Sequence, residues 1–241
     1  MISVIIPTLN EERELGKTLQ NLTEPLQRKE IEIIVSDGKS TDKTVEIAHK
    51  YASRVIVYEG EKRQTIAAGR NLGAERATGE YLLFIDADVC IPNPSRALKD
   101  VLAEFERDPE LVGLTAFVKV RPEDATITDR LIFGFMNYFI LLINNVFRFG
   151  GGPGEFLFVK TEAFRKINGF REDLPVAEDY DLFRRLKKIG RLMTYLRLTI
   201  LHSGRRAHKI GWPKLLFMWF VNNVSLILFD RSVHKEWKPI R

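Results

Sequence analysis

The sequence predicts an α/β fold, with a mostly parallel β-sheet flanked by helices. Its first half alternates short apolar strands with amphipathic helices, and the connections between them are short. The strands are continuous runs of β-branched residues, which are typical of parallel sheets that helices cover on both faces. With 241 residues, the chain is long enough for one substantial domain. Polar, mostly acidic residues follow three of the strands and indicate a site at one edge of the sheet.

Hydrophobic periodicity predicts the elements of the first half. Four strands are expected at residues 2–7, 31–36, 54–58 and 81–85. Three helices are expected between them, at residues 11–22, 41–51 and 65–77. Ser40 or Thr41 is the expected cap of the second helix, because a hydroxyl oxygen there can accept a hydrogen bond from a free amide of the first turn.

The second half is predicted to add insertions to the same sheet. Helices are expected at residues 95–107, 127–147 and 179–189, with another that starts at 161. Strands are expected at residues 111–120 and 156–160. A strand-like stretch, LTILH, follows at residues 198–202, and apolar helix-like sequence covers residues 212–229.

Composition and charge exclude several classes of protein. Hydrophobic residues make up 45% and charged residues 29%, which fits a folded chain. The net charge is +5, and basic residues concentrate at positions 184–206 and 231–241. A cationic face could meet nucleic acid, anionic lipid or a phosphorylated substrate, but no nucleic-acid-binding motif accompanies it, so no nucleic-acid partner is expected. The single cysteine, Cys90, excludes an intrachain disulfide and a cysteine-based metal cluster.

The segment YLLFIDADV, at residues 81–89, carries the strongest chemical signal. A buried strand leads into two carboxylates, Asp86 and Asp88, which are separated by one residue. In an extended backbone such residues project from the same side, so the carboxylates converge at the strand's C-terminal end. Two convergent carboxylates suit a hard divalent cation that can also bind a diphosphate.

Two further strand ends carry polar motifs, PTLNE at residues 7–11 and SDGKSTD at residues 36–42. Each alone is equally typical of turns and helix caps. Because three strands present such residues at the same edge, the motifs together indicate a ligand site.

Four motifs in order resemble the inverting family 2 glycosyltransferases, which have the GT-A fold. They are PTLNE, DGKSTD, FIDAD and the segment EDYDLFRRL that begins at Glu178. Among members of that family, the chain is similar to those that act near membranes, such as the dolichyl-phosphate-sugar synthases. The resemblance implies a glycosyltransferase domain at residues 1–205, with a nucleotide-binding part at 1–90 and an acceptor part at 91–205. An apolar helix and a basic tail would follow at residues 206–241.

The resemblance implies a nucleotide-sugar site in the first two motifs. Pro7, Thr8 and Glu11 would lie along the nucleotide of a UDP- or GDP-linked sugar. Asp37 would contact the base.

The third motif and a late histidine imply a metal site. Asp86, with Ala87, would approach the ribose and the sugar, and Asp88 would bind Mn²⁺ or Mg²⁺. His202 ends the stretch LTILH and would complete the site, as a late histidine does in many GT-A enzymes. The metal would neutralise the charge of the departing nucleoside diphosphate.

Arginines at four positions are candidates for phosphate binding, because a guanidinium can hold phosphate through two parallel hydrogen bonds. Arg63 and Arg70 precede the fourth strand and would assist the diphosphate, or both are exposed helix charges. Arg205 and Arg206 would bind the diphosphate or an acceptor phosphate, or they form a solvated basic turn.

The acceptor side is expected to supply the general base. Inversion requires a carboxylate that removes the proton of the acceptor hydroxyl, and the resemblance makes Asp179 the first candidate and Glu178 the second. Helix capping is the alternative, and it is preferred for Asp181. The glycine-rich loop at residues 150–155 would allow close approach of the backbone or would order on substrate binding, and Glu155 would contact the sugar.

Two apolar stretches predict contact with a membrane surface. Residues 131–147 carry no charge, and residues 212–229 carry one lysine. Trp212, Trp219 and Trp237 lie near lysines, a mixture that bilayer interfaces favour, whereas asparagines in both stretches oppose true spanning. We expect peripheral attachment on the cytoplasmic side; a protein core and a homo-oligomer contact are the alternatives.

The predicted function is a metal-dependent inverting hexosyltransferase that acts on a polyprenyl phosphate or another membrane-proximal acceptor. The alternatives are a soluble transferase for a small molecule or polysaccharide, a sugar-phosphate nucleotidyltransferase and a non-catalytic nucleotide-sugar binder.

Overall fold

The structure, a computed structural model, describes residues 1–240; Arg241 of the predicted basic tail lies outside them. One sheet contains seven strands: β1 (Ile2–Thr8), β2 (Ile31–Asp37), β3 (Arg54–Val57), β4 (Tyr81–Ile85), β5 (Leu111–Val120), β6 (Phe156–Lys160) and β7 (Arg191–His202). Their order is β3-β2-β1-β4-β6-β5-β7. Strand β6 is antiparallel to β4 and β5, and the other neighbours are parallel. This sheet confirms the predicted α/β class.

Helices connect and cover the strands. They are α1 (Leu15–Asn21), α2 (Thr23–Gln27), α3 (Thr44–Tyr51), α4 (Ile66–Glu75), α5 (Pro94–Arg107), α6 (Ile127–Leu141), α7 (Thr161–Lys166), α8 (Glu178–Leu186), α9 (Arg205–Ile210) and α10 (Trp212–Phe229). A π-helical turn, Leu142–Val146, extends α6. Short helices α2 and α9 were not predicted.

The core lies on both faces of the sheet, as continuous apolar strands predict. In β1, Ile2, Val4 and Ile6 belong to one buried cluster, whereas Ile5 belongs to the cluster on the other face. Strands β2 and β4 alternate in the same way. Because both faces are filled, the ligand-binding positions left on these strands are at their ends.

The predicted cap of the second helix was wrong. Helix α3 begins at Thr44, and its N-cap residue, Lys43, makes no side-chain capping bond. The Ser40 hydroxyl instead donates to Asp37 (2.5 Å) and accepts from the amide of Asn10 (2.7 Å). The loops that follow β1 and β2 are therefore hydrogen-bonded to each other. Helices α1 and α3 begin after this contact, at Leu15 and Thr44, later than predicted.

The long apolar helix predicted at residues 127–147 changes geometry at Leu142. Asn144 bonds both backbone groups of Gly151 and the hydroxyl of Thr194, and Asn145 bonds the backbone of Thr194. The wider π-helical turn lets two adjacent asparagines reach the same strand. The asparagines in this helix thus anchor it to β7 and the glycine-rich loop.

Two helical segments, Ile127–Val146 and Trp212–Phe229, are long and apolar enough to cross a membrane by length and composition. Each segment exposes apolar side chains, and we call the two sets together the exposed apolar face. Its members on α6 and the π-helical turn are Ile127, Leu131, Phe135, Phe139, Leu142 and Val146, and those on α10 are Phe217, Phe220, Ile227 and Leu228.

The three tryptophans do not belong to that face. Trp212 is buried and donates to Asp129 (2.6 Å), while Trp219 and Trp237 are partly buried against the core. Burial removes Trp212 from the predicted membrane interface, and the interface role of Trp219 and Trp237 stays a prediction.

Candidate active site

Two adjoining cavities open at the carboxyl ends of β1 and β4. The first has a volume of about 380 Å³ and the second about 260 Å³. Asp86, Glu155 and Trp237 line both. The first cavity is also lined by Pro7, Thr8, Glu11, Ala87, Asp88, Arg63, His202, Arg205 and Arg206. The second is also lined by Arg70, Glu178 and Asp179. Folding thus brings nearly all predicted site residues together.

Asp37 is the exception, because it lies behind the cavity wall. The register of β1 and β2 pairs Thr8 with Asp37. The Thr8 hydroxyl donates to the Asp37 carboxylate (2.8 Å), which also accepts from the amide of Ser40 (2.8 Å). Asp37 is fully buried, and its neighbour Gly38 lines the cavity instead. Asp37 therefore fixes the wall of the first cavity in this structure.

Arg205 links two of the predicted site carboxylates. Its guanidinium forms a two-pronged pair with Glu11 (2.7 and 2.8 Å), and its Nε lies 3.4 Å from Asp88 Oδ2. The same Asp88 oxygen accepts a hydrogen bond from Ser203. Burial raises the pKa of Asp88, but Arg205 and Ser203 outweigh it, so the pKa lies below the ordinary value. Asp88 is therefore held as a carboxylate.

His202 has the properties of a metal ligand with one nitrogen available. Its Nδ1 accepts from the amide of Gly204 (3.2 Å), and its buried Nε2 has no hydrogen-bond partner. Burial lowers the pKa of His202, which keeps the imidazole neutral. Within residues 1–240, no three His, Cys, Asp or Glu side chains converge on one point. The donor set of Asp88 and His202 fits a divalent metal that takes its remaining ligands from phosphate oxygens.

Arg70 is buried, contrary to its alternative interpretation as an exposed helix charge. Its side chain is 2% exposed and donates to Asp86 (3.0 Å), Glu178 (3.1 Å) and the Gly154 carbonyl (2.9 Å). One cation thus ties the end of β4 to the start of α8 and the glycine-rich loop. Arg70 positions carboxylates rather than facing solvent.

The second cavity concentrates acidic groups whose pKa values are raised. Burial, with the neighbouring carboxylates, raises the pKa of Glu155 and of Glu178 to about 8. Burial also raises the pKa of Asp179, although Arg70 opposes the shift. Asp179 Oδ1 accepts a hydrogen bond from the amide of Tyr180 (2.7 Å). A carboxylate so placed can accept a proton near neutral pH.

Asp181 has a structural role, but as an ion-pair partner and not as the helix cap preferred from the sequence. It is fully buried and pairs with Arg185 (2.6 Å) one turn further along α8. It therefore supports the helix that carries Glu178 and Asp179.

The C-terminal tail covers the first cavity, which sequence reasoning missed. The Arg63 guanidinium donates to the Trp237 carbonyl (2.9 Å), and that of Arg206 donates to the Lys238 carbonyl (2.8 Å). The Arg206 guanidinium also stacks 3.8 Å from the centre of the Trp237 ring. The one sequence feature that could have indicated this contact is Trp237 among basic residues, but the same mixture is also typical of a membrane interface.

Arg121 and Ser203 were also missed. Arg121 donates to the carbonyl of Asp88 (2.7 Å) and pairs with Glu14 (2.7 Å). Ser203 bonds the Asp88 carboxylate. Both residues directly follow the ends of strands, β5 and β7, and that position was the only signal for them.

The fold and the two cavities define a GT-A-type glycosyltransferase. The model of the family "Glycosyl transferase family 2" matches residues 3–167, and the chain belongs to this family. An uncharacterized glycosyltransferase of Haemophilus influenzae is 32% identical over 77% of this chain and 62% of its own length. The chain thus spans about three fifths of that relative.

Two further similarities involve named substrates. A dolichyl N-acetyl-alpha-D-glucosaminyl phosphate 3-beta-D-2,3-diacetamido-2,3-dideoxy-beta-D-glucuronosyltransferase of Methanococcus voltae is 31% identical over 48% of this chain and 39% of its own length. The solved structure of a mannosyltransferase from Pyrobaculum calidifontis, in complex with GDP-Man and Mn²⁺, has a TM-score of 0.71. It is 22% identical and covers 92% of this chain and 61% of that one. This likeness establishes the shared fold.

Proposed function

We propose that this protein is an inverting, metal-dependent glycosyltransferase that moves a hexose from a UDP- or GDP-sugar to a membrane-proximal, lipid-linked acceptor. The observation that carries the proposal is the pair of cavities that meet at Asp86 and Glu155. The first cavity holds the candidate metal ligands and four cations, and the second holds four carboxyl groups with one paired cation. Residues 1–90 supply much of the donor side and residues 91–205 much of the acceptor side. Residues 206–240 contribute to the walls of both cavities.

The first cavity suits the nucleoside diphosphate. Arg205 and Arg206 line it together with Arg63, and guanidinium groups bind phosphate oxygens well. Asp88 and His202 would hold Mn²⁺ or Mg²⁺, which when bound supplies positive charge to the departing diphosphate. The Pyrobaculum mannosyltransferase, which has the same fold and was solved in complex with GDP-Man and Mn²⁺, supports this assignment.

Transfer requires one proton acceptor beside the acceptor hydroxyl. We assign it to Asp179, because Glu178 already pairs with Arg70 (3.1 Å). The hydroxyl oxygen forms a bond to the anomeric carbon as its proton passes to Asp179. The bond from that carbon to the diphosphate oxygen breaks, and its electron pair leaves on the nucleoside diphosphate. Attack opposite the leaving group inverts the anomeric centre.

The exposed apolar face supports peripheral attachment to the cytoplasmic side of a membrane. The dolichyl-linked substrate in the name of the Methanococcus relative supports a lipid-linked acceptor. A soluble acceptor remains the second candidate, in which case a second copy of the chain would cover the exposed apolar face. The arginines and carboxylates of the two cavities would have the same roles with either acceptor.

A donor screen tests the proposal. UDP- and GDP-sugars are incubated with the protein and Mn²⁺, or with a chelator, and release of the nucleoside diphosphate is measured. We expect Mn²⁺-dependent hydrolysis of one donor, and faster release when a lipid-linked acceptor is added. If no donor is hydrolysed or bound under any of these conditions, the proposed function is wrong, and the non-catalytic and nucleotidyltransferase alternatives come forward.

A further inference from the structure

Carboxylates line both cavities, but the cavities differ in their cations. The acidic residues of the first are Glu11, Asp86, Asp88, Glu155 and Glu236. The cations of the first cavity are Arg63, Arg205, Arg206 and Lys235. The charged side chains of the second, among residues 1–240, are Arg70, Asp86, Glu155, Glu178 and Asp179. Both terminal nitrogens of Arg70 already donate to carboxylates or to the Gly154 carbonyl. The second cavity therefore has four carboxyl groups, and its one cation is already engaged.

Asn137, Tyr180 and Asn223 also line the second cavity, but the rest of its wall is apolar. It is formed by α6 and its π-helical turn, through Phe133, Met136, Phe139, Ile140 and Ile143, and by the rings of Trp219 and Trp237. Phe139 lines this cavity and is also 52% exposed on the exposed apolar face. The cavity is therefore continuous with that face, so an apolar chain can run from one to the other without crossing water.

We propose that the second cavity binds an acceptor with an uncharged hydroxyl and an apolar chain, and that it excludes a phosphate monoester as the nucleophile. This inference rests on the proposed function. It narrows the lipid-linked acceptor from a polyprenyl phosphate to a hydroxyl-bearing molecule, such as a sugar already attached to a lipid.

Charge decides between the two nucleophiles. A phosphate dianion in the second cavity would lose its hydration beside Asp86 and Asp179, where the cation that lines the cavity, Arg70, is already paired with Asp86 and Glu178. A hydroxyl loses little hydration and can donate its hydrogen to Asp179. Its oxygen then forms the bond to the anomeric carbon, the proton stays on Asp179, and the donor bond breaks with its electron pair on the nucleoside diphosphate.

Probe binding tests this proposal without turnover. The full chain, with UDP or GDP and Mn²⁺ present, is titrated with dodecyl β-glucoside, dodecyl phosphate and methyl β-glucoside, each below its micelle concentration. Tryptophan fluorescence reports binding, because Trp219 and Trp237 line the cavity. We expect dodecyl β-glucoside to bind about tenfold or more tightly than either of the other probes.

A matched pair of variants on α6 locates the probe. Met136→Gln makes the cavity wall polar at nearly constant volume and should weaken dodecyl β-glucoside binding about tenfold. Leu131→Gln changes the exposed apolar face, where Leu131 is 70% exposed, and should leave binding unchanged. If circular dichroism shows that Met136→Gln does not fold, Ile143→Gln on the same wall takes its place.

Each other outcome overturns the proposal. Dodecyl phosphate that binds as tightly as the glucoside, and is weakened by Met136→Gln, would show that the cavity accepts the anion. Methyl β-glucoside of equal affinity would show that the apolar wall plays no part. A loss with Leu131→Gln alone would place the probe on the exposed apolar face. Failure of donor hydrolysis in the separate screen would contradict the proposed function. It would not change the probe-binding results, so the two failures can be distinguished.

Discussion

Two arginines organise the candidate site at the scale of single residues. Arg70 joins Asp86 to Glu178, and Arg205 joins Glu11 to Asp88. Each pairs carboxylates that lie far apart in the chain. Because a buried carboxylate without a partner is costly, these arginines hold the acidic groups of both cavities in place.

The metal assignment predicts a specific loss in Asp88→Ala. Turnover should be abolished and Mn²⁺-dependent binding of the nucleoside diphosphate greatly weakened, because one of the two protein ligands is removed. Calorimetry with and without Mn²⁺ measures the effect. Asp100→Ala is the matched control, since Asp100 is 51% exposed on α5 and outside both cavities. Unchanged Mn²⁺-dependent binding in Asp88→Ala would remove Asp88 from the metal site.

The base assignment predicts that Asp179→Asn keeps donor binding but slows transfer by roughly 10²- to 10⁴-fold, the usual contribution of a general base. Since the pKa of Asp179 is raised, wild-type transfer should increase with pH above the ordinary range of an aspartate. That increase should disappear in the variant. Near-normal transfer in Asp179→Asn together with a large loss in Glu178→Gln would move the role to Glu178.

Glu155 predicts how stability depends on pH. Its pKa is about 8 in the folded chain against an ordinary 4.5, so the folded state holds a proton that the unfolded state has released. Stability therefore falls as pH rises from 4.5 to 8. Glu155→Gln should remove this pH dependence. The Tm of the variant minus that of the wild type should therefore be about 2 °C or more higher at pH 8 than at pH 5. Parallel Tm curves for the two proteins would contradict the prediction.

At the scale of elements, Asp129 joins the two apolar helices. It completes the capping box of α6 with Thr126, and it also contacts His208 of α9 (2.8 Å) and Trp212 of α10 (2.6 Å). Although burial opposes the shift, these hydrogen bonds lower the pKa of Asp129 to about 2. The position of α10 against α6, and so the wall between the cavities, depends on this residue.

Asp129→Asn should lower the free energy of unfolding by about 1–3 kcal/mol at pH 7, the usual size for hydrogen bonds to a charged group. Because the folded pKa lies below 3.8, the contribution is present above that pH and is lost as pH falls towards 2. Urea unfolding at pH 7 and near pH 2 measures both effects. Asp124→Asn, at an exposed position nearby, should be neutral. An equal difference at both pH values would show that the charge is not what matters.

At the scale of the whole molecule, the exposed apolar face predicts membrane binding. The full chain should float with anionic vesicles, bind neutral ones less, and dissociate in salt, since each basic residue near the surface adds about 1 kcal/mol. Phe217→Ser with Phe220→Ser should weaken binding about tenfold or more. Both residues are 66% exposed, so the fold should remain intact.

The control for this experiment is Val57→Ser, an apolar residue that is 44% exposed on β3 and lies outside the two helices. It should leave flotation unchanged. If the full chain shows no lipid association at low salt, the membrane proposal is wrong and the soluble-acceptor candidate takes its place. Sedimentation would then show whether a second copy covers the exposed apolar face.

The sequence by itself determined the sheet and the edge at which the site lies. Strands β4, β5 and β6 begin and end where hydrophobic periodicity predicts. Asp86 and Asp88 reach the site because they directly follow β4, although Ala87 and Asp88 lie in a turn and not in the extended backbone that strand alternation assumes. The same local rules failed at Ser40, where a contact between two loops replaced the expected helix cap.

Only the tertiary structure decided which charged side chains pair with each other at the two cavities. Arg70 meets Glu178 across 108 positions, and Arg205 meets Glu11 across 194. The C-terminal tail likewise reaches the first cavity through Arg63, 174 positions from Trp237. Such pairs depend on how distant elements pack, because burial selects which charge each carboxylate meets. Spacing along the chain does not predict which carboxylate an arginine will meet. The sequence could therefore name the arginines as candidates but could not assign their partners.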